Sequence, residues 1–318
     1  MKLSAIIPAH NEEEFISKCL DSLIKQTYSD YEIIVVNDGS TDNTEDIVKG
    51  FQKKDSKIKL ISFKKGHSAA FGRNQAVKMA TGQVVIFIDA DQFVETNFLF
   101  RIANNFKNKF KEKEIDALIG KVLGASKTFI GKCYNARKWL FWLTRQKKKK
   151  IFTQENPGCI LAIKRELYHE MGGFDEKLFY REDTYFEQKA KKDYTVLFVP
   201  DLYIYHYDPN SWKEMVRHAR WVGKGLGTDI KKSGLKVAAK PLLEVLFWPI
   251  YLILIILSIF IWQLTFLLVV VLFPLWYAVK TWVYSKDFVH SWGFLILSIP
   301  KNIISTYSFI RFMLEKKK

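Results

Sequence analysis

The N-terminal part of the chain alternates short β-branched runs with stretches of helical period, and few folds accommodate that alternation. The runs are Leu3–Ile7, Tyr31–Val36, Ile58–Ser62 and Val84–Ile88, each rich in Ile and Val and each ending in polar or turn residues. Between the first two, Glu12–Gln26 places Phe15, Ile16, Cys19, Leu20, Leu23 and Ile24 on one stripe. After the second, Ser40 or Thr41 stands where it can cap a helix carrying Ile47, Val48 and Phe51. Strands joined through helices need crossover connections, so the pattern predicts an α/β domain with a Rossmann-like, mostly parallel sheet. Such sheets bind ligands at the carboxyl ends of their strands.

The C-terminal part reads differently. From Val245 to Val279 there is no charged side chain. One straight helix over that stretch would be roughly 52 Å long at about 1.5 Å per residue, against a hydrocarbon core of about 30 Å. Two spans, 242–262 and 264–284, reversing near Gln263, are therefore expected; a buried core hairpin is the competing reading. A third apolar segment, 288–310, is broken by Pro300-Lys301. A charge at the bilayer centre costs roughly 2.5 to 3.5 kcal/mol, so this segment is expected to be interfacial or re-entrant. Lys231, Lys232, Lys236 and Lys240 precede the first span, and Lys280 and Lys286 follow the second. Both flanks then read as cytoplasmic. The expected organisation is an α/β domain at 1–225, a basic juxtamembrane linker at 226–241 and a membrane region at 242–318. That describes an integral protein of the cell membrane with its N-terminal domain cytoplasmic.

Lys and Arg outnumber Asp and Glu by 49 to 33, a formal net charge of +16. Such a balance suits nucleic acid, an anionic surface or a phosphate-bearing substrate. The positive charge gathers beside the apolar C-terminal segments and not around a row of stacking aromatics, which argues against nucleic acid. Cys19, Cys133 and Cys159 lack metal-ligand spacing and read as thiols in a reducing compartment. The first apolar run is over by Glu12-Glu13-Glu14, so it is not a signal peptide.

Three polar motifs close the strand candidates: Pro8-Ala9-His10-Asn11-Glu12, Asn37-Asp38-Gly39-Ser40-Thr41-Asp42 and Asp89-Ala90-Asp91. In a parallel sheet all three converge on one rim. Carboxylates gathered there suit a divalent cation, and such a cation suits a nucleotide diphosphate, whose charge it neutralises as the diphosphate leaves. Taken singly, each motif also serves as a turn or helix cap. Further along stand Asn156-Pro157-Gly158-Cys159, Gly172-Gly173-Phe174-Asp175-Glu176 and Glu182-Asp183, then Arg217-His218-Ala219-Arg220-Trp221. The acidic pair fits the positive end of a helix equally well. Helical spacing puts Arg217, Arg220 and Trp221 on one face, as it would in a basic helix at a membrane surface.

In combination these motifs resemble the inverting, GT-A-fold glycosyltransferases of family 2 over 1–225. The resemblance implies a GT-A domain followed by C-terminal membrane helices, a nucleotide-sugar donor and a divalent metal, Mg or Mn. Asp91 is the implied metal ligand, with His206 in place to complete the metal shell. Asp89 is implied to contact the donor, Asp38 its base or ribose, and Pro8, Ala9 and Glu12 line the same part. Arg73, in the basic stretch Lys64–Asn74 ahead of an Arg-Asn pair, is implied to touch the donor. Asp183 is the implied base that removes the acceptor hydroxyl's proton, with Glu182 orienting it or the acceptor. Arg217, Arg220 and Trp221 resemble the Gln/Arg-x-x-Arg-Trp element of membrane polysaccharide synthases, where Trp stacks on acceptor sugar and Arg contacts diphosphate.

The implied reaction moves a sugar to a hydroxyl of a lipid-linked or membrane-delivered acceptor at the cytoplasmic membrane face. A polyprenyl-phosphate sugar synthase is the alternative within the family, although a phosphate acceptor needs no base. A non-catalytic nucleotide-sugar-binding membrane scaffold is the alternative of another class, and the intact Asp89, Asp91 and Asp183 speak against it.

Overall fold

The strand at Tyr31–Asp38 is buried at every position, as a strand covered on both faces must be. The computed structural model describes residues 1–135, 150–151, 160–233 and 288–314, with isolated helical residues between 242 and 279. The chain divides into two units: Met1–Val122, Lys147–Glu176 and Arg181–His206 form the first, and Leu123–Gln146, Lys177–Tyr180 and Tyr207–Lys318 the second.

In chain order the elements are β1 (Leu3–Ala9), α1 (Ile16–Ile24), β2 (Tyr31–Asp38), α2 (Thr44–Gln52), β3 (Ile58–Phe63), α3 (Ala69–Met79), β4 (Val84–Phe87) and β5 (Gln92–Val94). They continue with α4 (Phe98–Lys107), β6 (Ala117–Gly124), β7 (Lys150–Ile151), β8 (Ile160–Lys164), α5 (Arg165–Glu170), α6 (Glu182–Asp193), β9 (Val196–His206), α7 (Trp212–Ser233) and α8 (Phe288–Leu314). The sheet runs β3-β2-β1-β4-β8-β6-β9-β5, with β7 also paired to β9. β3, β2, β1 and β4 are parallel neighbours. β8 is antiparallel to β4 and to β6, and β5 and β7 are antiparallel to β9.

The expectation of a mostly parallel sheet is thus corrected to a mixed one. A parallel return needs a crossover of a dozen or more residues, but only Ile88–Asp91 separates β4 from β5. So short a link cannot lay β5 beside β4, and β5 pairs with β9 instead. The parallel half follows the sequence pattern closely, because each of its connections carries a helix, and α1 and α2 each turn an apolar side to the core. In α1 that side is Ile16, Cys19, Leu20 and Leu23, all buried.

One buried acid stitches this half together. Glu32, 3% exposed, accepts bonds from Ser4 Oγ of β1 at 2.7 Å, Lys59 Nζ of β3 at 2.7 Å and Thr81 N at 2.7 Å. Burial works against its charge, but these donors prevail and hold the carboxyl down at about 2.

In the second unit α7 packs against α8. A Cβ on Gly223 would overlap the Ser305 carbonyl, and one on Gly227 would meet the Phe312 ring, so the two glycines set how closely the helices approach. The expected C-terminal membrane helices and integral cell-membrane location are corrected here. Among the described residues no helix is long and apolar enough to cross a membrane. α8 contains Pro300, with Lys301 and Asn302 directly after it, and it buries Ser298, Ser305 and Thr306. Thr306 donates to the Val245 carbonyl at 3.2 Å. Polar groups of this kind are satisfied by protein, not by hydrocarbon. The two expected spans, 242–262 and 264–284, lie almost wholly outside the described residues, and Cys159 does as well; Cys19 and Cys133 are buried free thiols.

Candidate active site

The strand-end loops of the first unit are tied to one another before any ligand is considered. The helix expected from Glu12 starts at Ile16, because the loop after β2 takes the backbone ahead of it. Thr44 Oγ1 accepts from Glu12 N at 2.8 Å, and Asp42 Oδ2 accepts from Glu13 N at 3.1 Å. Asp42 also accepts from Thr44 N at 3.0 Å, and the N-cap position of α2 falls on Asn43, not on Ser40 or Thr41. Asn11, at φ 58°, accepts from Thr41 N at 2.7 Å. Pro8 is half-buried at the end of β1, 3.3 Å from where a Cβ on Gly72 would sit. Ala9 is buried in the main core, so it offers a ligand its backbone alone.

Asp38 ends β2, 6% exposed. His67 donates to it twice, from its backbone N to Oδ2 at 2.7 Å and from ring Nδ1 to Oδ1 at 2.8 Å. That imidazole stacks on Phe71, with centroids 4.1 Å apart and planes 20° off parallel. Its neighbour Gly66 is where the chain must approach closely: a Cβ there would lie 3.3 Å from the Asp38 carbonyl. Sequence reasoning passed over His67, although it lies within the Lys64–Asn74 stretch already singled out.

Asp89 and Asp91 occupy the turn between β4 and β5 and not the strand itself, so strand alternation does not orient them. Gln92, buried at the start of β5, holds Asp89 from two sides. Its Oε1 accepts from Asp89 N at 3.0 Å, and its Nε2 donates to Asp89 Oδ2 at 3.0 Å. Asp89 Oδ1 accepts from Arg73 at 2.7 Å. Pairing of Gln92 with His206 in the β5–β9 ladder brings the imidazole to this turn, with His206 Nε2 3.3 Å from Asp91 Oδ2. Glu12 faces the same acids. Burial first, then the charges of Asp91 and Asp89, push its carboxyl up to about 8.

Arg73 is the centre of the arrangement. It is 7% exposed, lies 5.2 Å over the Phe174 ring, and reaches Asp89 with one nitrogen and Glu182 Oε1, at 2.5 Å, with another. Burial disfavours its charge, yet Asp89, Glu182 and Asp183 outweigh that and hold it firmly protonated. Burial pushes Glu182 upward, Arg73 opposes, and Asp183 adds to the rise. Glu182 is therefore an anchor for Arg73. Asp183, next along and half-buried in the first turn of α6, accepts from Thr184 N at 2.6 Å.

Asn74, beside Arg73, makes a second tie from α3. It donates to the Phe174 carbonyl at 3.0 Å and to Glu176 at 2.8 Å, and it accepts from Phe174 N at 3.0 Å. It thus fixes the turn at Gly172 and Gly173, both at positive φ, that leads toward α6.

Among the described residues no group of three or more ligating side chains is placed to hold a metal. The turn nevertheless fits a hard divalent cation that is completed by substrate. Mg-type sites use one or two carboxylates plus phosphate oxygens, and Asp91 with His206 would provide one oxygen and one nitrogen, beside two further acids, Asp89 and Glu12.

Arg217, Arg220 and Trp221 lie in the second unit, exposed on α7. The Trp221 ring has Tyr180 at 5.4 Å edge-on and His218 at 5.8 Å. The backbone of that flank is pinned by buried Asp229, which accepts from Phe179 N at 2.5 Å and Tyr180 N at 3.1 Å.

Comparison with known proteins agrees with this architecture. The sequence is 31% identical over 232 residues to the probable glycosyltransferase YdaM of Bacillus subtilis, covering 69% of this chain and 54% of that protein. It is 40% identical over 128 residues to the poly(ribitol-phosphate) beta-glucosyltransferase of Bacillus spizizenii, covering 39% of this chain and 19% of that one. The chain thus spans about half or less of the length of these relatives. In fold it is similar to the mannosyltransferase PcManGT of Pyrobaculum calidifontis, solved with GDP-Man and Mn2+, at a TM-score of 0.58, 20% identity, and 95% and 86% of the two chains. The family description Glycosyl transferase family 2 matches residues 4–172, more than half of the sequence, and the chain belongs to that family.

Proposed function

We propose that this chain transfers a sugar from a nucleotide-diphosphate donor to an acceptor hydroxyl, with inversion at the anomeric carbon. The observation that carries the reading is Arg73. It joins the acids of the strand-end turn to the acids that open α6, so a leaving group and a base belong to one site. Asp38 and His67, with Pro8 and the backbone of Ala9, take the nucleoside. Asp89, fixed by Gln92 and Arg73, orients the donor sugar. A magnesium or manganese ion held through Asp91 and His206 would neutralise the leaving diphosphate.

Asp183 accepts the proton of the acceptor hydroxyl as its oxygen bonds to the anomeric carbon and the bond to the diphosphate breaks. Glu182 has a different task. Committed to Arg73, it keeps that guanidinium pointed at Asp89 and fixes the start of α6, and with it Asp183. Arg217, Arg220 and Trp221 belong to the acceptor side. A relative that acts on poly(ribitol-phosphate) and a neighbour solved with GDP-Man and Mn2+ favour a nucleotide-sugar donor and an acceptor on a phosphate-linked carrier, polymer or lipid.

The test is a panel of uridine, guanosine and thymidine diphosphate sugars incubated with the full chain and Mg or Mn. Release of nucleoside diphosphate that chelator and Asp91→Ala both abolish is the expected result. Neither turnover nor thermal stabilisation with any of them would overturn the reading in favour of a non-catalytic protein.

A further inference from the structure

The outer face of α7 carries a cationic stripe that extends beyond the residues already placed on the acceptor side. Lys213, Arg217, Arg220 and Lys224 are all exposed, and their spacing of four, three and four residues keeps them on one face. Among the described residues none of the four is in an ion pair. The helix's own acids are turned to other work: Glu214 accepts from Asn210 N at 2.8 Å and from Ser211 Oγ at 2.8 Å, and Asp229 is buried on the Phe179–Tyr180 backbone. From Lys213 to Lys224 the stripe is about 16 Å long at about 1.5 Å per residue. Trp221 stands beside it, 45% exposed, with Tyr180 edge-on behind its ring.

We propose that this face binds a linear acceptor chain that carries repeated phosphodiesters, the four cations holding successive phosphates and Trp221 stacking on a ring of the same chain. The inference rests on the acceptor reading of Arg217, Arg220 and Trp221; it adds Lys213 and Lys224 and names the acceptor's chemical class. Like charges held close together without counter-charge cost free energy in the unliganded protein, and an anionic ligand removes that cost. A single diphosphate occupies too little of a 16 Å row to use all four.

A bilayer is the poorer fit, because a helix lying on lipid sinks an apolar face beside its basic one. Here Met215, Ala219, Val222 and Leu226 are buried in the protein, and among the described residues the large apolar side chains that α7 exposes are Trp212 and Trp221 alone, too few to make an apolar face. Single-stranded nucleic acid calls for a row of aromatics on which successive bases stack, and Trp212 and Trp221, nine residues apart on the helix, do not supply one.

The experiment uses the full chain with four probes: poly(glycerol phosphate), a neutral glucan of similar length, vesicles containing phosphatidylglycerol, and uridine or guanosine diphosphate with Mn. Binding to the polyol phosphate that weakens with salt, and that Lys213→Gln/Lys224→Gln weakens about fivefold to tenfold, is expected. Lys213→Arg/Lys224→Arg should restore it, and nucleotide binding should be equal in all three proteins. Equal polymer binding by the Gln variant, no preference over the glucan, or tighter binding to the vesicles would overturn the proposal. Polymer binding with no nucleotide binding would strike the transferase reading and leave this surface standing.

Discussion

The strand-end rim and the outer face of α7 are both densely charged, and they treat charge in opposite ways. On the rim nearly every charge is engaged within the protein: His67 holds Asp38, Gln92 and Arg73 hold Asp89, and Arg73 holds Glu182. On α7 the cations stand in water. A network of short bonds fixes atoms to within the tolerance that bond-breaking chemistry requires. An open stripe fixes nothing and attracts at a distance. The first arrangement suits reaction at one carbon; the second suits capture of a long, variable ligand.

That contrast is sharpest at Asp183. Asp183→Asn should lower kcat by about 100-fold to 10,000-fold, the usual range for a general base. Nucleotide affinity, measured by calorimetry, should stay unchanged. A variant retaining full transfer would remove the base from the rim. Next in size is Arg73→Met, which leaves Glu182 buried without its cation. Such a loss costs about 3 to 5 kcal/mol, read as a fall in the urea midpoint, and Glu182→Gln in the same chain should recover part of it. Were Arg73→Met as stable as the wild type, the rim would be no more integrated than α7.

Glu32 sets a smaller test in the same unit. Its folded carboxyl titrates at about 2, below its unfolded value, so its contribution is present above the unfolded carboxylate range and lost as pH falls toward 2. Glu32→Gln should cost about 2 kcal/mol at neutral pH, and the gap in melting temperature to the wild type should close in acid. The smallest effect belongs to α7. Arg217→Gln should change stability by less than about 0.5 kcal/mol while raising the acceptor KM at low salt, a difference that high salt erases. A large stability loss there would show that the stripe is structural and would end the contrast.

Much of the rim was legible in the sequence because its residues are local to strand ends. Pro8, Asp38, Asp89 and Asp91 each follow an aliphatic run, and the pairing of β1 with β2 and β4 brings those ends together. Gln92 and His67 escaped notice since each works through a partner's carboxylate, and nothing in their own spacing marks them. The mixed sheet was less legible: alternating strands and helices signal crossovers, whereas β5 follows β4 after only four residues, too few for one. The expected membrane helices rested on hydropathy alone, and among the described residues no helix is long and apolar enough to cross a membrane. In α8 the polar residues find protein partners that a hydropathy sum does not see.

By itself, then, the sequence determined the parallel half of the sheet, the three strand-end motifs and the acids at the start of α6. These depend on periodicity and turn chemistry within a few residues. Only the tertiary structure decided that Arg73 spans 109 positions to reach Glu182, and that Glu182, and not its neighbour Asp183, is the acid that anchors it. A buried guanidinium must find carboxylates wherever the fold brings them, and which carboxylate it takes is settled by packing, which sequence spacing does not encode.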